Sequence, residues 1–368
     1  EIPVQYTRKQ IFEFAESELL AIENELKAPG TNEYGRVDRV AGWFLLARMY
    51  LNAQTWINEN KYQEAYTYAT KVIADGHYPL ASDYREIFLA DNNTCKEIIW
   101  PLVQDGLRAQ SSAGTNFYVK AFVNGPMDEL YKTGVGSRGW GNVRAKVSLV
   151  DAFDADDVMF DGNDTWGNNK KDKRAQFMTA LPNQVKDTWD VNMDMTSTFT
   201  CGYGYIKWRN VTKEDELSAS GDAYTSIDFP LFRTADAYLM AAEAILRGAS
   251  GTQSEALGYV NEVRTRAYMS GKYAKSGVRS DVSGEIGANE LDLDFLLLER
   301  QKELASELIR RTDLIRFGKY TKGNNWDWKN GVRLGEDVDD KYNLFPIPES
   351  ELTNNPTLVQ NDGYKVIK

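Results

Sequence analysis

Residues 36–54, RVDRVAGWFLLARMYLNAQ, and residues 61–75, KYQEAYTYATKVIAD, carry the reading of the fold. In the first stretch Val40, Trp43, Leu46, Ala47, Tyr50 and Leu51 recur at three- and four-residue spacing, which places them on one stripe of an α-helix. In the second, Ala65, Tyr66, Ala69 and Val72-Ile73 do the same, and Gly76 follows as a helix stop. Small residues such as Ala47, Ala65 and Ala69 let two antiparallel helices approach closely, while Trp43, Tyr50 and Tyr66 fill the space that remains. That is the grammar of a tetratricopeptide unit, although the connection from Thr55 to Asn60 is longer than a compact repeat uses.

The pattern extends in both directions. Upstream, residues 7–27 read as a helix with Thr7 as N-cap, Gln10 completing a capping box, and a stripe of Ile11, Phe12, Ala15, Leu19, Ile22 and Leu26. Pro29-Gly30 ends it. Downstream, Leu239-Met240-Ala241-Ala242-Glu243-Ala244 opens a helix after Arg233, and Gln253-Ser254-Glu255-Ala256 opens its partner. The "QEA" at 63–65 and the "SEA" at 254–256 form a degenerate internal repeat, each starting a second helix. Residues 290–310 form a further long helix and 312–319 a short one. Helix pairs of this kind are scaffold before they are site.

Between the helical blocks, from about residue 90 to 230, Gly, Asn, Asp, Ser and Thr rise, Trp and Tyr stay frequent, and helical periodicity disappears. Only short strand-like pieces occur, Glu97 to Val103 and Tyr203 to Trp208. The expected architecture is mainly α. Tetratricopeptide-like pairs build a right-handed superhelical scaffold from residues 1–90 and 231–320, residues 91–230 form an irregular loop-rich lobe with a few short strands, and an irregular segment at 321–368 packs on the scaffold. In such a layout the frame holds and the loops recognise.

Composition narrows the function. The 368 residues carry 43 Lys+Arg against 54 Asp+Glu, a formal charge of −11, with two Cys and one His. Cys95 and Cys201 cannot build a disulfide framework or a cysteine zinc site, and the lone His77 precludes a multi-histidine metal site. The acidic balance argues against nucleic acid as a partner. No stretch approaches the ~20 apolar residues of a membrane-crossing helix. The chain opens at Glu1 with no signal-like apolar stretch, so targeting is not legible directly. The polar end around Asn361-Asp362-Gly363-Tyr364 reads as a domain end and not as an anchor.

Most candidate chemistry has a plainer explanation beside it. Asp151, Asp154, Asp156, Asp157, Asp161 and Asp164 offer oxygen ligands to a structural Ca²⁺, but they lack EF-hand spacing and a solvated acidic loop fits better. Asp337, Asp339 and Asp340 repeat that ambiguity. Carboxylate pairs suited to a glycosidase are too common in an acidic chain to point anywhere. His77 directly follows the helix stop and reads as a turn residue. Gly134-Val135-Gly136 follows no strand and makes a poor phosphate loop. Glu299, Arg300, Glu303, Glu307, Arg310, Arg311, Asp313 and Arg316 read as a buried, paired network, with an anion site as the functional alternative.

The best functional lead is aromatic. Trp140, Trp166, Trp189 and Trp208 lie in polar, glycine-containing surroundings and not on apolar stripes. Trp140 sits in Ser137-Arg138-Gly139-Trp140-Gly141-Asn142, and Trp166 in Asp164-Thr165-Trp166-Gly167-Asn168. A flat ring flanked by Asn, Asp and Arg suits a sugar, with the ring against its C–H face and the polar groups on its hydroxyls.

Ordered matches along the chain then converge on a family. They include Gly35-Arg36-Val37-Asp38, Ala47-Arg48-Met49-Tyr50-Leu51-Asn52-Ala53, Gly76-His77-Tyr78-Pro79-Leu80 and Glu97-Ile98-Ile99-Trp100. Phe229-Pro230-Leu231-Phe232-Arg233-Thr234-Ala235-Asp236, Glu299-Arg300-Gln301-Lys302-Glu303-Leu304, Arg310-Arg311-Thr312-Asp313-Leu314 and Leu344-Phe345-Pro346-Ile347-Pro348 follow. The chain resembles the SusD/RagB family, the surface glycan-binding lipoproteins of Bacteroidetes. The resemblance implies four tetratricopeptide-like helix pairs carrying a loop-rich lobe. It also implies a cell-surface protein of the outer membrane, held by a lipid anchor outside this chain and seated on a SusC-like TonB-dependent transporter. Such a protein captures an oligosaccharide or polysaccharide, here a starch-like α-glucan, without cleaving it and without a cofactor. Family members carry well over ~100 further residues before the point matching Glu1. Carried over from starch-binding members, Trp140 and Trp166 are expected as stacking platforms, with Asn142 and Arg144 as hydroxyl partners. The competing expectations are a glycan-active hydrolase using a carboxylate pair and a helical-repeat adaptor for a protein partner.

Overall fold

A computed structural model describes residues 2–123, 128–162, 164, 167, 169–180, 184, 186, 201–269 and 282–365. Helix α1 (Arg8–Ile22) starts with the expected capping box: Thr7 Oγ1 accepts from Gln10 N at 3.2 Å, and Gln10 Oε1 accepts from Thr7 N at 2.9 Å. Its apolar stripe is only partly used. Phe12 is buried and Ala15 and Leu19 pack behind it, but Ile11 remains 56% exposed.

Helix α2 (Arg39–Ile57) begins at Asp38, whose Oδ1 accepts from Val40 N at 2.9 Å and Ala41 N at 3.3 Å. It continues to Ile57 and stops at Asn58, which takes a left-handed conformation with φ 57°. Helix α3 (Tyr62–Asp75) follows. The connection is therefore residues 58–61, shorter than the sequence suggested and normal for packed helices. Gly76 closes α3 at φ 76°, a conformation glycine adopts without a Cβ penalty.

Asp38 does more than cap. Its second carboxylate oxygen accepts from Gly30 N at 2.8 Å and from Tyr78 Oη at 2.6 Å, tying both ends of the pair together. Asp38 is 1% exposed, and Asp38→Ala strands all four of these donors. A loss of about 2 kcal/mol is expected in urea melts.

The segment between the helical blocks is short-ranged and irregular. Strand β1 (Ile98–Leu102) pairs antiparallel with β4 (Phe229–Arg233), joining the two ends of the lobe, and Ile98 stands opposite Arg233. Strands β2 (Phe177–Met178) and β3 (Gly204–Tyr205) form a second small ladder. Helix α4 (Thr115–Ala121) and the one-turn helices α5 (Asp128–Tyr131), α6 (Val147–Val150) and α7 (Ala155–Val158) complete it.

Helices α8 (Thr234–Leu246) and α9 (Gln253–Met269) form the second pair. Ala237, Met240, Ala241 and Ala244 of α8 share one core with Phe44, Ala65 and Ala69 from the first pair. The opposite side of α8 packs on Val260 and Val263 of α9 and Leu296 of α10 (Leu293–Leu304). Two pairs far apart in sequence are thus stacked neighbours. The expected unbroken helix over 290–310 ends at Leu304. Ala305 is extended, Ser306 and Leu308 have φ of 62° and 63°, and α11 (Arg310–Arg316) starts afresh. Competing donors explain the break. Arg233 Nη2 reaches Glu303 O at 2.8 Å, and Lys207 Nζ reaches Ala305 O at 2.8 Å, taking carbonyls a continuing helix would use. A last short helix, α12 (Glu349–Asn354), lies near the C-terminus.

The charges of α10 and α11 are buried and paired. Glu303 meets Arg174, Arg233 and Arg266; Glu299 meets Arg174 and Arg264; Glu307 meets Arg233 and Lys207. Beside them Arg300 bridges Asp236 and Asp313, while Arg316 bridges Glu243 and Asp313. This network welds lobe to frame. Arg310 and Arg311 stand outside it, donating to Leu297 O and to Tyr342 O.

Burial raises the pKa of Asp236, but the guanidinium groups of Arg300 and Arg48 outweigh it and bring the group down to about 2. A carboxylate depressed in the folded state stabilises above its unfolded pKa, and that stabilisation is lost as pH falls through the folded value. Glu243 and Asp172 are lowered for the same reason. The thermal midpoint followed by circular dichroism is expected to hold down to about pH 4 and to collapse between about pH 4 and pH 2.

Candidate functional site

The site is built on α4 and the segment after it. Thr115 Oγ1 donates to Ile227 O at 2.8 Å, Asn116 Oδ1 accepts from Thr225 N at 3.0 Å, and Lys120 Nζ donates to Ala223 O. Those bonds bury Thr115, Asn116, Val119 and Lys120, so Phe117 falls on the outer face and stays 44% exposed. Residues 139–143 then run back along the end of α4. Trp140 N donates to Lys120 O at 2.8 Å, Gly141 N to Val123 O at 2.8 Å, and Val143 N to Ala121 O at 2.9 Å. Gly141 has φ 59°, and this turn sets Trp140 beside α4.

Trp140 is 40% exposed, and its ring centroid lies 6.3 Å from that of Phe117 at an interplanar angle of 60°. The pair is rooted in the lobe core: Phe117 meets Tyr118 edge-on, and Tyr118 packs on Trp208 and Phe229. Asn142 is exposed next to it. The indole N–H of Trp140 and the carboxamide of Asn142 have no protein partner among the described residues. Arg138 and Asp222, paired at 3.1 Å, flank the same segment.

Arg144 lies at the other end of the segment. Its Nε donates to Cys201 O at 3.1 Å and its Nη1 to Gly141 O at 2.8 Å, so it braces the loop that carries Trp140. Burial pulls this guanidinium down to about 10, leaving it charged at neutral pH. Trp166 and Trp189 lie outside the described residues. Trp208 is not a surface residue at all. It is 1% exposed, stacked on Phe229 at 5.6 Å and edge-on to Phe88 at 4.8 Å. Its polar sequence neighbours, Lys207 and Arg209, are themselves buried, which disguised a core position.

Phe117 is the residue the sequence reading passed over. The buried face of α4 is largely polar, so the usual apolar stripe is inverted and a helical phase search finds no signal there.

The acidic loop is occupied by the protein's own donors. Asp157 accepts from Lys171 N at 2.7 Å and Asp172 N at 2.9 Å, Asp164 accepts from Asn169 N at 2.5 Å, and Lys170 Nζ donates to Asp157 O and Met159 O. Burial lowers Lys170 to about 8, against the pull of Asp157 and Asp164. Among the described residues no three His, Cys, Asp or Glu side chains are grouped to hold a metal. His77 is a turn residue, with Nδ1 at 2.8 Å from Asp75.

Known proteins share this fold. A profile described as the SusD family matches residues 96–364. The chain is 32% identical, over an alignment of 395 residues, to the starch-binding protein SusD of Bacteroides thetaiotaomicron, covering 99% of this chain and 67% of that protein. It is 25% identical over 347 residues to SusD-like protein P25 of Formosa agariphila, covering 89% of this chain and 59% of that one. Among solved structures, surface glycan-binding protein A from Bacteroides thetaiotaomicron in complex with laminarihexaose superposes with a TM-score of 0.64 at 22% identity, over 97% of this chain and 72% of that chain. A SusD superfamily protein from Bacteroides fragilis superposes with a TM-score of 0.68 at 20% identity, over 99% of this chain and 74% of that one. These superpositions speak to the fold. The chain spans two thirds of the length of SusD and less of P25.

Proposed function

The chain belongs to the SusD family, and on that premise we propose that it is a surface glycan-binding protein that captures an oligosaccharide or polysaccharide and delivers it to a SusC-like TonB-dependent transporter. Its role is binding and not catalysis. The observation that carries this is the exposed Trp140–Phe117 pair, with an indole N–H and an Asn142 carboxamide left without protein partners among the described residues. The two rings take the C–H faces of successive sugars and the polar groups take hydroxyls. Arg144 holds the loop in place and Trp166 supplies a second platform.

Each stacked ring contributes on the order of 1 kcal/mol, so the rings by themselves make a weak site, with a dissociation constant of about a millimolar or above. Such weak sites suit a protein that must hand its ligand on. The glycan is a starch-like α-glucan, in line with the name of the relative SusD. In the full-length protein a lipid anchor places the fold on the outer-membrane surface.

Affinity electrophoresis through gels containing amylopectin, laminarin, inulin or mannan tests this. Retardation is expected in amylopectin. Free mobility in every gel would leave the helical-repeat adaptor as the better account, and release of reducing ends from malto-oligosaccharides would make the protein a hydrolase.

A further inference from the structure

A cavity of about 360 Å³ opens at the Arg144 end of the segment that carries Trp140. That is within the usual range of ligand pockets, roughly 300–1,000 Å³. Its apolar part is formed by Leu304 and Leu314, which are buried, and its wall by Tyr320 and Trp326. The two rings stand 5.7 Å apart at 34°, a shallow V. Trp326 also borders a second hollow of about 330 Å³.

Both rings are held in place before any ligand arrives. The Arg311 guanidinium lies 4.9 Å from the Tyr320 ring centre and the Lys329 ammonium 4.8 Å from that of Trp326. Lys329 Nζ also donates to Thr321 O at 3.0 Å and Asn324 O at 3.3 Å, closing the loop that presents Trp326. A preorganised ring loses little freedom on binding.

The cations around the cavity are committed to the protein. Arg300 is paired with Asp236 and Asp313, Arg310 donates to Leu297 O and Gln301, and Arg144 donates to backbone carbonyls. An acidic ligand would therefore find little free charge. What remains is aromatic surface with Asn324 and Ser306 beside it. Those are groups for a neutral, hydroxyl-rich ligand with an apolar face.

We propose that the cavity walled by Tyr320 and Trp326 is a second glycan subsite, which extends the binding surface of Trp140 and Phe117 along the same bound chain. This rests on the glycan-binding function given above. Arg144, which lines the cavity, stands four positions along the chain from Trp140, so their Cα atoms lie no more than about 14 Å apart, and an oligosaccharide of several units spans that distance from Trp140 to the cavity's edge.

Hydroxyl-radical footprinting of the full chain, with maltoheptaose and laminarihexaose as probes, tests it. At least one probe is expected to protect the peptides containing Trp140 and Trp326 together. Trp326→Ala is expected to weaken that probe by about three- to tenfold while leaving maltotriose unchanged. Trp326→Phe restores most of the affinity, which a merely structural role for the indole would not explain. Protection at Trp140 with none at Trp326 overturns the second subsite and leaves the glycan-binding function standing. No protection at either tryptophan by either probe overturns both. The footprint reads the unmodified protein, so it decides the matter even if Trp326→Ala fails to fold.

Discussion

Replacing Glu303 with glutamine is expected to destabilise the fold by about 3–5 kcal/mol, or to prevent folding altogether. Glu303 Oε1 accepts from Arg233 Nη1 at 2.7 Å and from Arg266 Nη2, and Oε2 accepts from Arg174 Nη1 at 3.1 Å. All four side chains are buried. Burial by itself raises the carboxyl pKa, yet the three guanidinium groups hold it far below the usual range. A neutral amide keeps the shape and leaves three buried cations short of one negative charge. Breaking a buried network by removing one partner costs far more than such a network contributes relative to apolar packing. Glu33→Gln, in the exposed pair with Arg36, is the control and should leave the urea midpoint unchanged. A small shift for Glu303→Gln would mean that water or a rearranged partner enters this interior.

The second large effect is on binding. Phe117→Ala combined with Trp140→Ala is expected to abolish retardation in every polysaccharide gel that retards the parent protein. Each single variant is expected to lose roughly tenfold in affinity. The rings touch, so the double loss will not equal the sum of the singles. Both side chains are over one third exposed, and the backbone bonds that shape the loop do not involve them. The melting temperature should therefore move little. Normal retardation of the double variant would place the sugar elsewhere.

The helical frame was legible from residues alone because its signals are local. Thr7 and Gly76 mark ends by chemistry that acts within a few residues, and the 36–54 and 61–75 stripes repeat at the helical period, although the first helix starts only after its cap at Asp38. The break after Leu304 was not legible. The sequence there is helical by propensity, and what stops the helix arrives from Lys207 and Arg233, on the lobe.

The same division runs through the site. Trp140 stands out because its neighbours are Gly, Asn and Arg, an unusual setting for a core ring, and the structure leaves it exposed. Trp208 has an equally polar setting and is core, because Lys207 and Arg209 find buried partners more than 70 residues away. Phe117 went unseen because buried hydrogen bonds, and not apolar contacts, orient its helix.

Composition, capping and periodicity thus determined a stacked-helix frame, a loop-rich lobe and a chain poor in histidine and cysteine. Which tryptophan faces water, which phenylalanine stands beside it and where the charges of α10 end up were decided only by the tertiary structure. The reason is physical: exposure and ion pairing depend on what other segments bring to a residue, and local sequence records only what a residue brings itself.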